Sequence, residues 1–449
     1  MLEKFGERCE RLVRSYMPDP FVLVLLLTIF TFGLALWFTP SRPHELLSHW
    51  NLGFWELLSF AMQMVLIVVT GEAIAEARPV RRFIQKLTAL PGSATSALLG
   101  LTFFSIVLGW LHWGFGLVMA SLAGRELAKS LNQRKITAHY PLIGAAAYTS
   151  MLLWHAGTTA SAPLLINTPG HFLFKEIGLI PLSETVFLPL NLLVCGAIAL
   201  VVPFVIVQLE PRRGVRTIDE FAADLGTALK TRVFDHEAEE KGKTFAEKLE
   251  RSYLVNAVVG VFGAVFLIHY FRLEGLNLNH NIVNFLLLSV GMILHRNPMS
   301  YARAVARSVK GTSGIILQFP FYGGIMGVMR ESGLGHEIAN VFVRLASGET
   351  LPLYAYLSSV LMKFFIPSGG GEWAVEGPVM LQAAKSLGAP VGLTTMGIAY
   401  GNMVGNMFQP FWAIPLLSIM GLKARDIMGY CLVIFFFVFP ILAVALWKG

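Results

Sequence analysis

Cysteine is nearly absent from this chain and charge is thin. Cys9, Cys195 and Cys431 are the three cysteines in 449 residues; they are widely spaced and lie in a basic terminal stretch or in apolar runs. Such spacing indicates neither a disulfide framework nor a zinc site. Charged residues make up 14% of the sequence against 55% hydrophobic, and mean hydropathy is +0.62, which excludes a soluble protein. No HExxH, GxSxG, P-loop or paired Cys/His motif is present, so no enzyme is expected. The formal net charge of +7 is scattered among loops rather than gathered in one patch, which argues against nucleic acid as a partner. No aspartate falls inside an apolar span, so a proton relay built on Asp is not expected.

What the chain has instead is apolar length. Pro20 to Phe38, Phe187 to Gln208, Tyr253 to Phe271 and Ile427 to Trp447 each approach the roughly 20 residues that a helix needs to cross about 30 Å of hydrocarbon. The first run is too long for a signal peptide and lacks a small-residue cleavage site, so the N-terminus is expected to be retained. Spans are expected near 20–38, 53–76, 140–166, 184–208, 253–271, 281–295, 312–329, 393–420 and 427–447, with hairpins at about 93–131 and 351–386 that enter and leave on one side. With the N-terminus placed in the cytoplasm, 27 of the 35 Lys and Arg residues fall in inside loops and 7 outside. Basic residues favour the cytoplasmic side, so this orientation is consistent. If the hairpins spanned the bilayer instead of re-entering it, the same charge signs would result.

The sequence is also written twice. Ala147-Tyr148 precedes Pro163-Leu164-Leu165 by the interval that separates Ala399-Tyr400 from Pro415-Leu416-Leu417, and the two copies are offset by 252 residues. Gln63 and Gln318 recur at an offset of 255. A hydrophilic stretch, 209–252, reads as a cytoplasmic linker between a first repeat (1–208) and, after a connecting span and outside loop at 253–280, a second repeat (281–449). The crossing count starts the second repeat on the opposite side, so the expected fold is an all-α polytopic membrane protein of two inverted-topology repeats. It would have about nine transmembrane helices, two re-entrant hairpins and interrupted helices at the midplane. Val80 to Leu87 and His336 to Leu345 read as amphipathic surface helices joining a moving part to a fixed part.

Paired, glycine-interrupted apolar segments in two halves point to the midplane site of a secondary transporter. Candidate substrate-binding residues therefore gather at the two hairpin tips and the two interrupted spans. The tips are Trp113-Gly114-Phe115-Gly116 and Pro367-Ser368-Gly369-Gly370-Gly371. A helix starting at the second tip would present free N–H groups to a carboxylate. Close helix packing by the same glycines is the alternative. The interruptions are expected at Trp154 to Ser161, with Thr158 and Thr159, and at Gly401 to Asn406, with Asn402 and Asn406. There the hydroxyls and amides either complete an anion site, with Na⁺ near Gly114, Thr158, Gly370 and Asn402, or satisfy freed backbone; no other metal and no cofactor is expected. Glu56, Glu72, His112, His155, Lys363, Glu372 and Glu376 enter the membrane zone. Of these, His155 and Glu372 are coupling-ion candidates and Glu56 and Lys363 are expected to snorkel. Trp110, Trp113, Trp154, Trp373 and Trp412 are expected to cluster near the breaks.

Pro18-Asp19-Pro20, the two tips, Gln318-Phe319-Pro320-Phe321-Tyr322, Gln409-Pro410-Phe411-Trp412-Ala413 and Arg425-Asp426-Ile427-Met428-Gly429-Tyr430-Cys431 resemble the bacterial short-chain fatty acid transporter (AtoE) family, nearly end to end. The resemblance implies uptake of short monocarboxylates of the butyrate or acetoacetate type across the inner membrane. It also implies kinship with a wider ion-transporter superfamily of inverted repeats that often work as homodimers by an elevator motion. A passive anion channel, or a transporter of dicarboxylates or aromatic acids, is the competing reading.

Overall fold

The computed structural model describes residues 2–168, 171, 173–221, 244–275, 280–295, 297–309 and 312–448. Among these the chain is helical, without strands. After an N-terminal helix α1 (Leu2–Tyr16) come α2 (Pro20–Phe38), α3 (Pro43–Glu56), α4 (Leu58–Glu76), α5 (Arg78–Ala89), α6 (Ala94–Leu111), α7 (Trp113–Gln133), α8 (Tyr140–Tyr148), α9 (Ser161–Ile166), α10 (Phe174–Ile177) and α11 (Pro189–Gln208). Beyond the short α12 (Phe245–Glu250) and α13 (Tyr253–Glu274) lie α14 (His280–Leu294), α15 (Pro298–Val309), α16 (Ser313–Glu331), α17 (Leu334–Leu345), α18 (Leu351–Met362), α19 (Gly369–Leu387), α20 (Val391–Gly405), α21 (Ala413–Met420) and α22 (Ala424–Lys448). Most of the segment expected as a linker, 222–243, lies outside the described residues, as does 276–279 of the outside loop.

Six helical stretches are long and apolar enough to cross a bilayer: Pro20–Phe38, Pro43–Glu76, Ala94–Leu111, Pro189–Gln208, Tyr253–Glu274 and Ala424–Trp447. Three of the other expected spans, two of them expected to be interrupted, are cut or shorter. The stretch 140–166 is cut into α8, two 3₁₀ turns and α9; 393–420 is cut into α20 and α21; Asn281–Leu294 is apolar but shorter. Several helices were not anticipated, α1, α3 and α15 among them. The stretch expected as a basic tail is α1, which packs on α22, while α3 and α15 precede α4 and α16. Local signals explain many starts. Asp19 caps α2 by accepting from the Phe21 N–H (2.9 Å) with Pro20 in the first turn, and Ser93 and Ser96 form a reciprocal capping box on α6.

The helix order of α3 to α9 recurs 251 to 257 residues later as α15 to α21. Packing crosses between the copies. Helices α2 and α3 lie on α16, while α14 and α15 lie on α4; α21 packs on α7, while α9 packs on α19. The tightest of these contacts is α3 on α16. A Cβ on Gly53 would meet the Gly323 carbonyl, Gly327 Cα at 2.7 Å and Gly327 N at 2.8 Å, so the backbones touch only because side chains are absent. Small residues allow such van der Waals approach where lipid gives helices no hydrophobic reason to associate.

At the cytoplasmic end predicted from the charge count, α1, the stretch after α11 and the starts of α8 and α22 are tied around His139. Its Nδ1 accepts from the Arg216 N–H (3.0 Å) and its Nε2 meets the Tyr430 hydroxyl (2.9 Å), which reaches Glu10 (3.2 Å). Arg216 also pairs with Asp426 at 3.1 Å. Burial, then the Arg216 and Arg14 cations, push the imidazole down from 6.5 to about 3.

Two outcomes follow. Gly327→Val forces the α3–α16 backbones apart and lowers thermal stability in detergent by roughly 1–3 kcal/mol, whereas Gly33→Val, where a Cβ meets nothing within 4 Å, leaves the melting point unchanged. The unfolded chain protonates His139 while the folded one does not, so stability contributed by the neutral ring is present above pH 6.5 and falls as pH drops toward about 3. A melting-temperature series from pH 7.5 to 5 should therefore slope more steeply for the parent protein than for His139→Asn.

Candidate functional site

The two hairpins, α6–α7 and α18–α19, bring their tips to the two interruptions. At the first tip the backbone is stitched shut. His112 Nδ1 accepts from the Phe115 N–H (3.2 Å), Thr159 Oγ1 accepts from the Trp113 N–H (3.3 Å), and the Gly116 N–H donates to the His112 carbonyl (2.8 Å). Thr158 seals the end of α6: its N–H donates to Trp110 O (2.9 Å) and its hydroxyl to Leu111 O (2.5 Å). Thr158 and Thr159 therefore satisfy freed backbone rather than line an open anion site. Gly116 is a packing residue as well, since a Cβ there would lie 2.8 Å from Gly109 N. Only Gly114, at this tip, keeps an N–H without a protein acceptor among the described residues.

The second tip is built differently. Ser368 caps α19 by accepting from the Gly371 N–H at 3.3 Å, and the Glu372 N–H donates to Ser368 O at 2.9 Å. The N–H groups of Gly369 and Gly370 have no protein acceptor among the described residues. A Cβ on Gly370 would meet nothing within 4 Å, whereas one on Gly371 would strike Met326 and one on Gly369 the His155 ring. His155, 1% exposed, comes from the first interruption, and its Nε2 is buried without a hydrogen-bond partner. The His155 ring thus packs on Gly369, beside a helix start whose first two N–H groups are open. Together they form a cradle suited to a carboxylate.

An aromatic wall closes one side. Trp113 stacks on Trp154 (4.6 Å), Trp412 meets both edge-on (4.9 and 4.8 Å), and Trp154 stacks on His155 (4.0 Å). Trp412 Nε1 donates to Pro367 O (2.8 Å), fixing the residue ahead of the second tip. Trp373 does not join this wall. It packs in a separate cluster with Ile166, Ala339 and Met380, because helical spacing turns it away from the breaks.

The second interruption is displaced from its expected place. Gly401 to Gly405 are helical and the break spans 406–412, ending α20 shortly before Pro410. A Cβ on Gly401 would lie 2.6 Å from Ser359 Oγ and one on Gly405 2.9 Å from Lys363 Cβ, so this GxxxG pair seats α20 against α18. Asn406 closes the break, donating to Met151 O (3.0 Å) while its own carbonyl accepts from the Tyr148 hydroxyl (3.0 Å).

Lys363 does not snorkel. It is fully buried, and its ammonium donates to Pro367 O (2.6 Å) and Asn402 Oδ1 (2.5 Å). Asn402 Nδ2 in turn donates to Glu372 Oε2 (2.5 Å), and the Ser359 hydroxyl lies between Glu372 Oε1 and the Ile398 carbonyl. A cation and a carboxylate are thus bridged through one amide. Glu372 is a structural member of this network, and both polar atoms of the Asn402 side chain are engaged in it. The Na⁺ position expected near Asn402 does not fit either, since its oxygen already faces an ammonium. Among the described residues no group of three or more His, Cys, Asp or Glu could hold a metal ion. Sequence reasoning missed Lys363 and Ser359 as partners. Their spacing of four, one turn apart in an apolar hairpin, was the available signal. Glu56 does lie at an exposed position, paired with Arg330 at 2.9 and 3.0 Å.

An apolar crevice bounded by Gly71, Ile74, Val80, Ile84, Val118 and Leu122 touches the first tip through Phe115 and includes no residue of the second tip or of either interruption.

Removing one partner of the buried pair should cost more than removing both. Lys363→Met leaves Glu372 uncompensated and lowers stability by about 3–5 kcal/mol, and the double variant Lys363→Met/Glu372→Gln recovers most of that loss. Folded yield and melting temperature in detergent read both; losses that simply add would show the two groups to be independent.

A solved structure of Neisseria gonorrhoeae MtrF, reported with a class of antimetabolite efflux pumps, aligns over 98% of this chain and 96% of its own at 16% identity and a TM-score of 0.44. Relatives named for short-chain fatty acid transport are far more similar in sequence. One from Escherichia coli K12 is 38% identical over 432 residues, 96% of each chain, and one from Haemophilus influenzae Rd is 37% identical over 457 residues, the full length of both. Residues 1–447 match the family described as short chain fatty acid transporter. The chain belongs to the short-chain fatty acid transporter family and is a multi-pass membrane protein.

Proposed function

We propose that this protein is a secondary active transporter that takes up short-chain fatty acid anions of the butyrate or acetoacetate type across the bacterial inner membrane. The carrying observation is the second tip, where the N–H groups of Gly369 and Gly370 are open and the His155 ring, its Nε2 unpartnered, packs on Gly369. One carboxylate would accept from these donors, with the positive end of the α19 dipole behind them. The Trp113, Trp154 and Trp412 faces would receive a short apolar tail. The single cradle favours a monocarboxylate over a dicarboxylate, and the names of the relatives support the same class.

The repeats are read as inverted, with the hairpins re-entrant and the N-terminus cytoplasmic. The crossed packing of α2 and α3 on α16 and of α14 and α15 on α4 supports a two-fold relation between the copies. Hairpins, interrupted helices and α11 and α22 would move together as an elevator against α2 to α4 and α14 to α16, within a homodimer. The amphipathic α5 and α17 would serve as arms between the two parts. Accumulation against a gradient by this route needs a coupling cation, H⁺ or Na⁺.

Uptake of labelled butyrate into proteoliposomes, with pH and Na⁺ gradients imposed separately, tests this. Accumulation above equilibrium, competed by acetoacetate and not by succinate, is the expected outcome. Gly370→Val should cut uptake at least about 10-fold, the cost of losing a charge-assisted hydrogen bond of roughly 1.5–3 kcal/mol, while insertion stays normal because a Cβ there meets nothing within 4 Å. Only downhill flux would instead describe a channel.

A further inference from the structure

One acidic group beneath the second tip is left out of the Lys363 network. Glu376 lies on α19 one helical turn beyond Glu372 and is fully buried, and neither of its carboxyl oxygens has a hydrogen-bond partner. The buried Ser358 hydroxyl beside it interacts with the carboxyl without closing to a full hydrogen bond. Every other buried acid of this hairpin is engaged. Glu372 already takes the Asn402 amide and the Ser359 hydroxyl and is bridged through Asn402 to Lys363.

We propose that Glu376 is the proton-binding group of the transport cycle, carried on the same rigid helix that holds the substrate carboxylate. This rests on the reading of the protein as a coupled monocarboxylate transporter. A buried carboxylate without a hydrogen bond or a counter-ion is among the most costly groups a protein can hold, so in this closed packing Glu376 carries a proton. The charged surroundings agree. Of the helices packed on α19, α9 and α20 carry no charged residue and α18 ends at Lys363, which is committed to Asn402 and Pro367 O. The charged residues of α10, α16 and α17 (Lys175, Glu176, Arg330, Glu331, His336, Glu337 and Arg344) stand at exposed or half-buried positions. Glu372 is the charged group that acts on Glu376, and it is of like sign.

A metal cation fits this place poorly. Hard cations collect about six oxygen ligands, whereas Ser358 supplies one side-chain oxygen here and most carbonyls of α18 and α19 are engaged within their helices, the Ala374 carbonyl opposite Pro378 excepted. A proton needs only the carboxyl itself.

The spacing gives the coupling its logic. Gly370 and Glu376 are six residues apart on one helix, about 9 Å at 1.5 Å per residue. Anion and proton then travel on one body, and their charges cancel: a monocarboxylate brings one negative charge, the Glu376 proton one positive. The proton binds to a carboxylate oxygen and leaves from it, with no other bond made or broken. Exchange requires water to reach Glu376, which the closed packing prevents, so loading and release occur only when the tip opens to one side.

Infrared difference spectroscopy of the reconstituted full-length protein at neutral pH tests the site without any substrate. The carbonyl-stretch band of a protonated carboxylic acid is expected in the parent protein and reduced in Glu376→Gln; a parent protein without that band at neutral pH overturns the proposal. In proteoliposomes, Glu376→Gln should retain butyrate counterflow but lose accumulation driven by a pH gradient, and Glu376→Asp should restore part of it. Accumulation that is undiminished in Glu376→Gln, or driven by Na⁺ alone in the parent, also overturns it. Should the parent move no butyrate, the substrate reading falls and the infrared band alone decides Glu376. Should Glu376→Gln fail to fold, the parent's band and Glu376→Asp carry the test.

Discussion

A broken helix inside a bilayer has to find all of its hydrogen-bond partners in protein, because lipid offers none. The architecture around the two interruptions follows from that constraint. Each break is closed by groups from other elements: Thr158 and Thr159 reach the first hairpin, Asn406 reaches Met151 O, Tyr148 reaches Asn406 O, and Trp412 reaches Pro367 O. Asn191 on α11 adds bonds to Ala156 O (3.0 Å) and Val186 O (2.7 Å) and accepts from the Tyr400 hydroxyl (2.9 Å). Most of these bonds lie within one copy, and those of Asn406 to Met151 and Tyr148 tie the two breaks together across the copies.

Within that frame the two halves have diverged. The first tip spends His112, Thr158 and Thr159 on its own backbone, while the second leaves Gly369 and Gly370 open and borrows His155 from the other copy. A duplicated scaffold has thereby become a single asymmetric cradle. Beneath it, Lys363, Asn402, Glu372 and Ser359 tie α18, α19 and α20 into one unit at full burial. Such a network fixes geometry more than it adds stability, since ions gain by pairing only part of what they lose in leaving water.

Glycine does two kinds of work in this protein. At Gly53, Gly323, Gly327, Gly401 and Gly405 its lack of a side chain lets backbones or side chains touch, as lipid-embedded helices require. At Gly370 the space around it is open instead, which suits access by a small ligand. The pattern alone does not separate these roles. Gly401-x-x-x-Gly405 looked like a break and is a packing seam, while the run at 369–371 opens a helix just where its glycines permit a bare backbone.

The sequence by itself determined the membrane class, the family and the existence of paired polar interruptions, because those rest on composition, apolar length and local motifs such as Pro18-Asp19-Pro20 and the triple glycine. It also brought His155, Ser368 to Gly371 and Trp412 into view as chemistry out of place in an apolar run. Tertiary structure decided which of these groups are free. Thr158, Thr159, Asn402, Asn406 and Glu372 are hydrogen-bond capable in any reading of the chain, and only their partners tens or hundreds of residues away show that they are already engaged. The placement of Lys363 in the core, and of Glu376 with no partner at all, was equally out of reach. Whether a charge snorkels or is buried depends on what packs against it, and that is a property of the assembled helices rather than of the strand of residues that forms them.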